Sequence, residues 1–120
     1  MNAQAVTPRR EAERRFLLRH LPSIPFARSL RMRQFYTVCD ADRHYSARLR
    51  LVEDLQTGET TCLQTHKIGT GFEIQETEYA VAPSLYHAMR PLYGVGREIR
   101  KRRHVAVVDG ETWEIDAYEG

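Results

Sequence analysis

From Leu30 onward, apolar and polar residues alternate in short runs separated by turn-forming residues, the pattern of successive antiparallel strands. Met32 to Val38 carries Phe35, Tyr36 and Val38, and Tyr45 to Val52 alternates around Arg48 and Arg50. Thr60 to Ile68 is rich in β-branched and thiol side chains, and Phe72 to Val81 carries Glu76 and Glu78. Asp40-Ala41-Asp42 and Gln56-Thr57-Gly58-Glu59 read as turns between them, and Gly69-Thr70-Gly71 as a flexible reversal. Ala82-Pro83-Ser84 opens the best helical pattern, with Ser84 as N-cap and Leu85, Ala88, Met89 and Leu92 as an apolar stripe, ended by Pro91 and Gly94. Arg97 to Val108 and Thr112 to Tyr118 then form a predicted hairpin, because Asp109-Gly110 is a strong two-residue turn.

The first stretch is ambiguous. Arg9 to Leu21 is built from good helix formers, with Ala12, Phe16 and Leu17 near helical spacing. As a strand, it would place Ala12, Arg14 and Phe16 on one side and Glu11, Glu13 and Arg15 on the other. Pro22-Ser23-Ile24-Pro25 breaks the chain, and a short irregular or helical linker leads to Arg28. Roughly seven strands and one or two helices make the fold class α+β, with a mostly antiparallel sheet.

Charged residues recur at every second position in several of these runs: Glu11 and Glu13, Arg48 and Arg50, Glu76 and Glu78, Lys101 and Arg103, Glu114 and Asp116. On a strand, positions two apart share a face, so each pair would set like charges roughly 7 Å apart. Such repulsion makes sense where acidic and basic faces meet across a polar cavity, or where a charged ligand and metal ions fill the gap. The competing explanation is a β domain whose charged faces meet water.

With 120 residues, 42% of them hydrophobic, the chain suits one domain with a modest core, spanning 1–120 behind a flexible 1–7. No apolar run approaches the roughly 20 residues of a membrane span, and the N-terminus lacks the apolar stretch of a secretory signal, so the expected setting is cytoplasmic. A net charge of +2 is too small to announce a nucleic-acid partner. Nearly all the cations are arginine, Lys67 and Lys101 being the only lysines, and arginine grips phosphate oxygens two at a time. Cys39 and Cys62 fit no metal or redox spacing and read as two reduced thiols. The glycines at 69 and 71 lack the Lys-Ser/Thr of a P-loop, and His66 reads as a packed or surface residue.

Taken in order, these residues resemble the CYTH domain, the family of triphosphate tunnel metalloenzymes. Glu11-Ala12-Glu13-Arg14-Arg15-Phe16-Leu17 looks like its opening acidic-x-acidic-x-Lys strand, with Arg15 where lysine is usual. Gln34-Phe35-Tyr36, Arg48-Leu49-Arg50 and Thr65-His66-Lys67-Ile68-Gly69 resemble the next three strands. Glu76-Thr77-Glu78-Tyr79, Lys101-Arg102-Arg103 and Trp113-Glu114-Ile115-Asp116 resemble the three after those, so the likeness runs over 8–120. It implies a β-barrel tunnel with inward charges, and on that ground Glu11 to Leu17 is expected to be a strand. It also implies that Arg15, Arg48, Arg50, Lys67, Lys101 and Arg103 hold the phosphates of a small triphosphate. Glu11, Glu13, Glu76, Glu78 and Asp116 would hold Mg²⁺ or Mn²⁺, directly or through water, both being ions that suit hard oxygen ligands.

The implied activity is metal-dependent hydrolysis of inorganic tripolyphosphate, thiamine triphosphate or a nucleoside triphosphate. Its alternatives are a non-catalytic polyphosphate or nucleotide-binding module and the family's adenylate cyclase chemistry. Two departures bear on this. Arg15 binds phosphate but is a poor general base, its pKa lying above roughly 12, which leaves Tyr36 to orient a water. The family also continues into a further Glu-x-Glu strand where this sequence stops at Gly120. A tunnel left open there would expose a sheet edge suited to a second copy or a partner strand.

Overall fold

The computed structural model describes the backbone of 9–10 and residues 15–71 and 73–119. Seven strands and one helix follow in the order β1 (Arg9–Arg10), β2 (Arg28–Asp40), β3 (Tyr45–Asp54), β4 (Thr60–Ile68), β5 (Gln75–Val81), α1 (Pro83–Tyr93), β6 (Ile99–Val108) and β7 (Glu111–Tyr118). They build a single sheet ordered β1-β5-β4-β3-β2-β6-β7, with every neighbouring pair antiparallel. Among the described residues the sheet is not closed, with β1 and β7 at its two ends. This is the expected α+β class, an open trough rather than a sealed barrel.

Turn chemistry sets the hairpins. Asp109 and Gly110 both take positive φ, 53° and 78°, the two-residue turn whose twist matches that of the strands it joins. Gly58 at φ 75° closes the β3–β4 turn, where Asp54 Oδ1 accepts the backbone N–H groups of Gln56 and Thr57. β2 is longer than its apolar run predicts because both of its edges are paired. Arg28 to Gln34 pairs with β6, while Leu30 to Asp40 pairs with β3 through a bulge between Tyr36 and Val38.

The core lies between α1 and one face of the sheet. Phe35, Leu49, Leu51, Cys62, Val81 and Tyr86 form its buried cluster, and the rings of Phe35 and Tyr86 meet at 4.7 Å. Burial pushes the Cys62 thiol up to about 11, as suits a packed, inert cysteine; Cys39 is exposed, and neither is in a disulfide. Helix α1 differs from its predicted form in three ways. Ala82, not Ser84, is the N-cap, because Pro83 has the φ of a first helical residue and moves the boundary one step earlier. Pro91 lies inside the helix, which runs on to Tyr93 before Gly94 caps it. The buried stripe is Leu85, Tyr86 and Met89, while Leu92 is 73% exposed.

Tyr86 is fully buried, and its hydroxyl donates to Glu98 Oε2 at 2.8 Å. The same carboxylate accepts Arg90 Nε at 3.0 Å and Arg100 Nε at 2.9 Å. Burial opposes the charge of Glu98, but these three donors outweigh it and hold the carboxyl below its usual range. Helix and strand β6 are thereby tied at one carboxylate. Phe35→Ala is expected to cost about 3–5 kcal/mol in urea denaturation. Tyr86→Phe, which leaves both arginines on Glu98, is expected to cost only about 1 kcal/mol.

Candidate functional site

The alternation seen in the sequence becomes a single charged face. Residues opposite one another in register share a side of the sheet, so Tyr36, Arg48, Thr65 and Glu78 form one row across β2, β3, β4 and β5. Gln34, Arg50 and Leu63 form the next, and Lys67 pairs with Glu76. On the other flank Met32, Lys101 and Tyr118 align, as do Leu30, Arg103 and Asp116. This face is opposite to the one bearing Phe35 and Leu49 beneath α1. Tyr36, Arg48, Arg50, Lys67, Glu76, Glu78, Lys101, Arg103 and Asp116 are therefore brought together on one side. His66 lies on the opposite side, between the hydroxyls of Tyr45 at 2.6 Å and Tyr79 at 3.0 Å, a packed histidine as its sequence position implied.

This face is unusually dry for one on which, among the described residues, no helix packs. Arg50, Lys101, Glu76, Gln34 and Thr65 are all buried. Arg50 Nε donates to Gln34 Oε1 at 3.0 Å. Its guanidinium is lowered to about 10 by burial and by the charges of Arg48 and Arg103, against which Glu78 and Asp116 act. Arg50 thus remains a cation at neutral pH, with the repulsion around it only partly offset by these two carboxylates. Arg48 Nε is buried without a hydrogen-bond partner among the described residues, a donor left unsatisfied there inside the cationic cluster.

The acidic residues are arranged unevenly. Asp116 accepts Lys101 Nζ at 2.7 Å, Arg103 Nε at 2.8 Å and Arg103 Nη2 at 3.1 Å, while Arg103 Nη1 reaches Glu114 Oε2 at 2.6 Å. Lys101 also stands 5.4 Å from the Tyr118 ring centre. Glu78 accepts the Thr65 hydroxyl at 2.8 Å. Among the described residues, no three carboxylate, imidazole or thiol groups come together where they could hold a metal ion. With Asp116 engaged by two cations, the described acids do not form a metal centre by themselves. Glu11 and Glu13 lie outside the described residues. Arg15 is exposed in an irregular segment, so the expected strand does not extend through it to Leu17.

Three contributors went unassigned in the sequence: Gln34, which holds Arg50; Thr65, which holds Glu78; and Glu114, which pairs with Arg103. Each stands two positions before a residue singled out there, Tyr36, Lys67 or Asp116, so the period of two places it on the same face, although charge alone marks only Glu114.

The class defined by these features is an α+β protein whose open antiparallel sheet presents one charged, partly buried face. No protein-family model and no curated protein matches the chain. Two solved structures share its fold. The PH1819 protein of Pyrococcus horikoshii OT3 superposes with a TM-score of 0.61 at 18% identity, over 80% of this chain and 60% of that one. The inorganic triphosphatase NE1496 superposes with a TM-score of 0.58 at 21% identity, over 97% of this chain and 65% of that one. The expected antiparallel α+β fold is thus shared with both, and the chain spans less than two thirds of the length of either structure.

The Asp116 cluster has a pH signature. Burial alone would raise its carboxyl, but the hydrogen bonds and charges of Arg103 and Lys101 outweigh this and hold it at about 2, against 3.8 unfolded. The resulting stabilisation, about 2 kcal/mol, is full above the unfolded value and is lost as pH falls through about 2. Asp116→Asn is therefore expected to unfold at lower urea than the wild type at pH 7, with the gap narrowing below pH 4. A gap independent of pH would overturn this account.

Proposed function

We propose that the charged face binds the phosphate chain of a small triphosphate and that the protein is a triphosphatase-type hydrolase. The observation that carries this reading is the unsatisfied Arg48 Nε beside a buried Arg50 crowded by two other arginines. An anion placed there would accept the orphaned donor and offset the repulsion. Charge-assisted hydrogen bonds of this type are among the strongest available to a phosphate oxygen. Lys67, Lys101 and Arg103 share the face and extend the cationic surface on either side of the arginine pair. The shared fold with an inorganic triphosphatase supports the choice of a triphosphate over other anions.

For turnover, fixed cations of this kind act by neutralising charge that builds on the leaving phosphate, so their placement matters more than their number. Tyr36 is in register with Arg48 and 43% exposed, a position from which its hydroxyl would orient an attacking water. The test is phosphate release from tripolyphosphate, thiamine triphosphate and ATP, each with Mg²⁺, with Mn²⁺ and with EDTA. Release under either metal, reduced at least tenfold by Arg48→Ala, is expected; no release from any of the three would overturn hydrolysis.

A second reading, a polyphosphate-binding module without turnover, is in keeping with the engagement of Asp116 by Lys101 and Arg103. Calorimetry separates the two. Both require tripolyphosphate binding that weakens with salt and falls about 10-fold or more in Arg48→Ala, the loss expected for a charged hydrogen bond. Absence of binding at low salt would sink both.

Arg50 supplies an independent check. Its folded value, about 10, lies below the unfolded one, a penalty on folding of about 3 kcal/mol at neutral pH that is relieved as pH rises above about 10. Replacing a buried, repelled cation by an apolar chain of similar length removes that penalty. Arg50→Met is therefore expected to keep or raise the ligand-free melting temperature while losing tripolyphosphate binding. A melting temperature lowered together with binding would show that Arg50 serves the fold instead.

A further inference from the structure

The face under α1 carries a second concentration of arginine, away from the trough. Arg33 of β2 stands directly opposite Arg100 of β6, and Arg31 opposite Arg102. Cross-strand neighbours have side chains only about 5 Å apart at their base, so two like-charged pairs in succession oppose the pairing of these strands. Three of the four reach a carboxylate: Arg31 to Glu53 at 3.4 Å, Arg100 to Glu98 at 2.9 Å and Arg102 to Glu119 at 3.9 Å. Arg33, half-buried between them, has no carboxylate at ion-pair distance among the described residues. It borders a depression of about 480 Å³, where Arg31, Arg100, the imidazole of His87 and the hydroxyl of Thr60 also converge.

We propose that this depression is a second anion site, taking one phosphate group, either free or as the monoester of a small molecule. Arg33 and Arg100 offer planar forks of donors from adjacent strands, His87 a ring nitrogen and Thr60 a hydroxyl, a set that matches the several oxygens of a phosphate. Glu53 and Glu119 border the same depression. Their carboxylates repel an extended polyanion and leave space only for a compact one. The charged trough and this site lie on opposite faces of one sheet, β6 giving Arg103 to the first and Arg100 to the second, so the two are distinct sites.

The experiment titrates inorganic phosphate, and in a second arm glycerol 3-phosphate, into the full chain carrying Arg48→Ala, which disables the trough. Amide and imidazole NMR shifts are followed at Thr60, Arg33 and His87. Saturable shifts at these positions are expected with one or both ligands, the tighter ligand identifying the source. Adding Arg33→Gln is expected to weaken the response at least tenfold. Arg33→Gln alone should leave tripolyphosphate binding in the trough within twofold of wild type, so that failure of the trough and failure of this site are read separately. No saturable shift with either ligand, or a response unchanged by Arg33→Gln, would overturn the proposal.

Discussion

Everything on the charged face depends on one constraint: Arg48 and Arg50 sit two positions apart on the central strand β3, with Arg103 close enough to add to the repulsion. In water such crowding would be screened, but Arg50 is buried, and interactions between buried charges are screened much less. The sheet tolerates this because its stability comes from elsewhere. The opposite face packs Phe35, Leu49 and Leu51 under Tyr86, and register locks those residues outward of the same strands that carry the arginines inward. A one-residue slip of β3 would exchange the two sets. The apolar core thereby fixes the alignment that forces the cations together.

Counter-charge is distributed in a way that preserves the strain at the centre. Asp116 neutralises Lys101 and Arg103 at one flank, and Glu78, held by Thr65, stands at the other. Between them Arg48 retains an unsatisfied donor. The outer face is built on the opposite logic: three of its arginines are exposed and individually paired, and the carboxylates are interleaved with the cations. Exposed pairs of that kind contribute little to stability. The two faces therefore differ in how much an arriving anion would gain, more in the trough, where it replaces buried repulsion, and less outside, where it competes with water and glutamates.

The strands were legible because their period of two is written in both apolar and charged residues; Thr60 to Ile68 is found with its limits unchanged, and Asp109-Gly110 closes the last hairpin as its composition requires. The helix was legible in place but not in rotation. Leu92 counts as apolar in any periodic pattern, yet the sheet needs an aromatic with a polar tip, and Tyr86 supplies both the contact with Phe35 and the bond to Glu98. Arg15 to Leu17 is irregular although the family resemblance implied a strand there, since a matching motif by itself gives no partner for the backbone. Of the site, the residues that carry charge were visible and the residues that hold them were not. Gln34 and Thr65 are neutral, and nothing in a charge pattern distinguishes them from any other strand polar group.

Binding and turnover make different demands on this arrangement. Relief of the repulsion around Arg50 is available to any anion that reaches it, including a product phosphate, and so it favours substrate and product together with the transition state. Only interactions that strengthen as the bond breaks raise the rate of the chemical step. The orphaned donor of Arg48 is the group best suited to that purpose, because its worth depends on direction as well as on charge: aimed at a bridging oxygen, it gains as negative charge builds there, whereas aimed at a terminal oxygen it contributes to affinity alone. Under the proposed function, the buried arginine pair would attract the anion by its charge and would favour the transition state only through the orientation of a single N–H.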